Sequence, residues 1–247
     1  MELSMKPVPS LKSSLIAGWA LALFALSVTA YAEDEDGFSG NMRLGYLATS
    51  GNTDSESGNA RARLDYRTGR WLNTFTGGAI GSREDDETNA ESYELGARTN
   101  FDFNEYDFAF GRLAWRKDKF GGIDEQFSQT AGYGRRLLST ERHRWNVELG
   151  AGARQATRRD GASENEAILR FGSDYRLRFN ERATLTADLG VESGADNTIT
   201  EFEVGLRSQL LSRFAFVASY TIRYNTDVPP GSTSTDRYTS LSLEYSF

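Results

Sequence analysis

From residue 38 onward, most of the chain alternates apolar and polar side chains with a period of two. RFAFVASYTIRY puts Phe214, Phe216, Ala218, Tyr220, Ile222 and Tyr224 on one face. Arg213, Ala215, Val217, Ser219, Thr221 and Arg223 fall on the other. EAILRFGSDYRLRF sets Ala167, Leu169, Phe171, Tyr175, Leu177 and Phe179 against Arg170, Gly172, Asp174, Arg176 and Arg178. Successive side chains of an extended strand point to opposite sides. The pattern therefore specifies strands with one apolar and one charged face, and it is incompatible with a helix.

Followed along the chain, it predicts twelve strands: 38–49, 57–67, 70–82, 90–103, 106–117, 125–138, 142–155, 165–179, 182–193, 197–210, 213–225 and 236–247. The fifth is ambiguous. Phe108 and Phe110 fall on one phase and Leu113 and Trp115 on the other, which suggests a bulge. Connections alternate in length. TGR, FNEY, STER, FNER and LLSR are short; SGNTDSES, SREDDETNAES, FGGIDE, TRRDGASENE, SGADNTIT and DVPPGSTSTD are longer and polar. A soluble sandwich has no reason to sort its connections this way. A transmembrane antiparallel β-barrel does, with tight periplasmic turns and longer external loops. The chain ends on a strand, SLSLEYSF. Leu241, Leu243, Tyr245 and Phe247 would face lipid, and this strand would close the barrel on the first so that no edge lies open in hydrocarbon. Trp71, Trp145, Phe214, Phe103 and Phe179 beside the short turns fit an interfacial aromatic girdle.

The first 32 residues follow a different rule. Lys6 and Lys12 precede the apolar run SLIAGWALALFALSVTA and the small-residue site Ala30-Tyr31-Ala32. That order predicts a cleaved signal peptide over 1–32 and a barrel domain over 33–247, with an uncleaved anchor helix as the competing reading. Removing Lys6, Lys12 and Glu2 takes the net charge from −7 to −8, which argues against a nucleic-acid partner. The absence of cysteine excludes disulfides and thiolate metal sites. The cations are unusual in kind: Lys occurs only at 6, 12, 117 and 119, and the rest are Arg, whose fixed fork of donors suits enclosed polar networks.

SGNTDSES after the first strand, WRKDKFGGID near the middle, and GYGRRLL followed by VELGAGARQ resemble a YdiY-like family of salt-induced outer-membrane proteins, over nearly all of residues 38–247. The resemblance implies an outer-membrane barrel of Gram-negative bacteria and no catalytic residues. The terminal strand likewise resembles the signal read by the barrel-assembly machinery, with Tyr245 and Phe247 at its aromatic positions and Ser242 where Gly is usual.

The polar phase carries the chemistry. Candidate interior residues are Arg61, Arg63, Arg98, Arg136, Arg154, Arg170, Arg176, Arg207 and Arg223, with Glu94, Glu148, Asp174, Asp188 and Glu203. Two readings follow: an Arg-biased barrel that serves as a narrow passage for anions or acidic solutes or in envelope maintenance under salt or osmotic stress, or a packed interior of mutually paired charges that conducts poorly. In the second case the barrel would act structurally or adhesively, through acidic loops and lipopolysaccharide. Glu84, Asp85 and Asp86 are weak candidates for a divalent cation, but their spacing matches no calcium loop, and a solvated acidic loop is the plainer reading. No cofactor is expected. Catalysis lacks support: the one histidine, His143, lies beside a short turn without a Ser or Asp arrangement.

Overall fold

The computed structural model describes residues 37–49, 55–84, 87–119, 123–158, 161–228 and 233–247. The leader and its cleavage site lie outside them, as do Asp85 and Asp86. Twelve strands form one closed antiparallel barrel. They are β1 (Gly37–Thr49), β2 (Ser55–Thr68), β3 (Trp71–Glu84), β4 (Glu87–Asp102), β5 (Asp107–Asp118), β6 (Ile123–Ser139), β7 (His143–Arg158), β8 (Ser163–Arg178), β9 (Ala183–Ser193), β10 (Thr198–Leu211), β11 (Phe214–Asn225) and β12 (Thr235–Ser246). Among the described residues no helix is long and apolar enough to cross a membrane; the apolar belt is made by strands.

The turns follow from local chemistry. The tripeptide Phe-Asn-Glu occurs twice and makes the same turn twice. Asn104 Oδ1 accepts from the backbone N–H of Tyr106 and Asp107 at 2.8 and 2.9 Å. Asn180 Oδ1 accepts from Arg182 and Ala183 at the same two distances. An Asn side chain standing in for a backbone carbonyl is the usual device for such a reversal. The β2–β3 turn instead uses Gly69 at φ +52°, a left-handed conformation that glycine adopts without a Cβ clash.

At the other end the connections are shorter than expected. β3 runs to Glu84 and β4 starts at Glu87, so most of SREDDETNAES is paired strand. Beyond the hydrocarbon both faces of a strand are wet. The apolar alternation fades there while the backbone ladder continues, so periodicity truncates these hairpins.

The fifth strand is regular: β5 pairs with β4 and β6 without a register shift. Phe108 and Phe110 do not face lipid. They point inward, 3 % and 4 % exposed, beneath the guanidinium groups of Arg136 and Arg98 at 5.1 and 5.0 Å. They fit because glycines leave them room: a Cβ on Gly134 would lie 2.2 Å from the Phe108 ring, and one on Gly150 2.8 Å from the Phe110 ring.

Large apolar side chains cover the outer face, including Leu44, Leu95, Leu149, Leu169, Leu206 and Leu243. At the short-turn end Phe38 stacks on Tyr66 (4.5 Å), Trp71 meets Phe101 (4.8 Å), and Phe214 meets Tyr245 (5.2 Å). The seam closes at the last residue. Phe247 donates its N–H to Gly40 O at 3.0 Å and accepts from Gly40 N at 2.9 Å. Its ring lies where a Cβ on Gly40 would sit, at 2.7 Å.

Candidate functional site: the charged interior

Strand register brings the inner-phase charges together as direct neighbours. Near the short-turn end Glu244 accepts from Arg43 (2.7 Å) and Arg207 (2.6 Å). Asp102 is shared by Arg67 (3.2 Å) and Arg136 (2.6 Å). A longer chain runs from Arg98 to Glu148 (2.6 Å), to Arg170 (3.3 Å), to Glu192 (3.1 Å) and to Arg112 (2.9 Å). Toward the loop end Arg154 is 1 % exposed, paired with Glu166 and donating to the Asn197 carbonyl at 2.6 Å. One carboxylate between two guanidinium groups recurs because a buried carboxylate has more lone pairs than one Arg fills.

Several of these contacts cross the barrel. Arg61 on β2 reaches Glu203 on β10 at 2.7 Å. Most telling is a quartet built from opposite walls. Glu94 on β4 and Arg116 on β5 face Glu201 on β10 and Arg223 on β11. Arg116 pairs with Glu94 and lies 3.3 Å from Glu201. Arg223 is 2.6 Å from Glu201 and 3.3 Å from Glu94. β4 and β11 lie five strands apart around the ring, as do β5 and β10. Contacts of this length between opposite walls bridge the interior at that level.

Closer to the short-turn end the wall opens. Asp174, Arg176 and Asp188 are inner-phase residues, yet they stay exposed. Asp174 accepts from the Asn146 amide at 2.7 Å.

The structure therefore places Arg61, Arg63, Arg98, Arg136, Arg154, Arg170, Arg176, Arg207, Arg223, Glu94, Glu148, Asp174, Asp188 and Glu203 on the inner phase and joins most of them in ion pairs. Arg63 is spent on Asp65 (2.7 Å). Arg112 and Arg116 are absent from that set because both phases of the fifth strand carry large apolar residues, Phe108 and Phe110 on theirs and Leu113 and Trp115 on the other, so the pattern does not say which phase is inward. The signal that identifies them is register: their Cα partners are Arg98 and Glu94. At the outer rim Glu84 ends β3, and its side chain lies outside the described residues. Glu91 of the same hairpin accepts from Lys119 at 2.5 Å, which raises the Lys119 ammonium above the ordinary lysine value.

A closed antiparallel barrel with an apolar belt and a charged interior is the architecture of outer-membrane porins and channels. The structure is similar to the NanC porin at TM-score 0.52 and 8% identity, covering 85% of this chain and 98% of that one. It is also similar to the COG4313 outer membrane channel of Pseudomonas putida F1 at TM-score 0.51 and 13% identity, covering 87% and 97%. At that identity the likeness speaks for the fold. The chain belongs to the family described as "Protein of unknown function, DUF481", which matches residues 42–247. It is 34% identical over 212 residues to "Uncharacterized protein YdiY" of Escherichia coli (strain K12), covering 85% of this chain and 83% of that protein.

Proposed function

We propose that the protein is a narrow, passive outer-membrane channel for small charged solutes, held closed in its loop-side half by the Glu94–Arg116–Glu201–Arg223 quartet. The observation that carries the reading is the interior itself. It is lined by guanidinium and carboxylate groups, and the stretch around Asp174, Arg176 and Asp188 is left exposed, whereas a purely structural packing of charges would leave each one paired and covered. The reading is non-enzymatic: His143 is turned to the outer face, its Nδ1 2.8 Å from the Tyr175 hydroxyl. It takes 1–32 as the export signal, and Tyr245 and Phe247 as the terminal signal for the assembly machinery. Lipopolysaccharide then surrounds the loop end.

Single-channel recording in a planar bilayer under a salt gradient tests it. The native protein should show small, infrequent steps, and R116Q/E201Q, which neutralises one charge from each wall, should show larger and longer ones. The cross-barrel pairs favour a second reading, a non-conducting structural barrel. Silence from both the native protein and the folded double variant would establish that reading instead.

A further inference from the structure

We propose that the inner wall of β7–β9 near the short-turn end is a binding site for a small zwitterion with a carboxylate and an ammonium at opposite ends. Two like-charge pairs stand there side by side. Arg144 and Arg176 are direct cross-strand partners on β7 and β8. One inner step along β8, Asp174 is the direct partner of Asp188 on β9. All four are exposed. Among the described residues no opposite charge lies within 4.0 Å of any of them, although nearly every other inner carboxylate holds one or two arginines. The neighbours that could have neutralised them are committed elsewhere. Glu203, the next carboxylate in the Asp row, is taken by Arg61 and by the Thr221 hydroxyl at 2.9 Å. Arg63, on the opposite wall, is taken by Asp65.

Like charges directly opposite in a sheet are destabilising. Each pair carries that cost, and the two rows do not cancel by contact. A bare anion at Arg144 and Arg176 would sit one step from two carboxylates, and a bare cation at the Asp pair would sit one step from two guanidinium groups. A solute bearing both charges relieves both rows at once. Two residues of strand separate them by roughly 6.6–6.8 Å, so a zwitterion with its charges several bonds apart fits better than one with adjacent charges. Its carboxylate would point toward the short-turn end and its ammonium toward the middle of the barrel.

The site deepens the channel reading and rests on its claim that this end of the interior is wet, but its test needs no conduction. Saturation-transfer NMR on the folded protein in detergent micelles would compare glycine, 4-aminobutyrate and 6-aminohexanoate with butyrate and butylammonium. One of the two longer zwitterions should bind best, at least about tenfold more tightly than either singly charged probe, as befits losing one charge-assisted contact set. R176Q and D188N should each weaken it, with folding checked by heat-modifiable gel migration. Binding of butyrate as tight as that of the zwitterions, undiminished binding in both variants, or no binding by any probe would overturn the proposal. Binding with a silent bilayer would overturn the channel alone, and conduction without binding would overturn this site alone.

Discussion

Glu244 shows what a single inner carboxylate does. It is 2 % exposed and holds Arg43 and Arg207 from two other strands. Replacing it with Gln removes the counter-charge of two guanidinium groups and leaves them one amide oxygen, at a position water hardly reaches. E244Q should therefore destabilise the barrel by about 3 kcal/mol, the scale for breaking a buried ion pair from one side, as read by urea unfolding in micelles. Arg63 is the contrast. Its side chain is 48% exposed in its pair with Asp65, and R63Q should cost under about 1 kcal/mol in the same assay, as exposed pairs do. Both contacts are Arg–carboxylate pairs; access to water and the number of partners decide the difference.

At the scale of the element, the β5–β6 seam depends on a glycine under an aromatic ring. A Cβ at Gly134 would lie 2.2 Å from the Phe108 ring. G134A should destabilise by about 1–3 kcal/mol through overpacking, and F108L in the same chain should recover part of that loss; equal destabilisation with and without F108L would show that the ring is not the cause. This seam also marks where the sequence was readable and where it was not. β8 and β11 were legible because every outward residue that is large is apolar and the inward ones, Ile168 and Val217 apart, are polar or small. β5 was not, because two of its apolar residues fill space left by glycines on other strands, Gly134 on β6 and Gly150 on β7. Periodicity reports the alternation within a strand and is blind to complementarity between strands. The same blindness left Arg112 and Arg116 out of the candidate set. The charged interior itself was plain from the Arg-rich phase, whereas which acid each Arg meets is a matter of register and barrel width, which no single segment encodes.

For the whole molecule, closure rests on a short seam. β1 and β12 share four paired positions, Asn41 to Leu44 against Ser246 to Leu243, and Phe247 adds two backbone hydrogen bonds to Gly40. Deleting Phe247 should lower the folded fraction on refolding into bilayers, seen as loss of the heat-modifiable band; an unchanged yield would assign the residue to recognition during assembly and not to closure. The shared carboxylates have a further consequence, an evolutionary one. Because Glu244, Glu148 and Asp102 each satisfy two arginines, no single replacement at these positions is neutral. A lineage that loses the acid must shed at least one of its cations nearly together with it. Substitutions in this interior should therefore arrive as linked sets, while the lipid-facing residues drift one at a time, leaving a record of which strands face each other written in the divergence of the sequences.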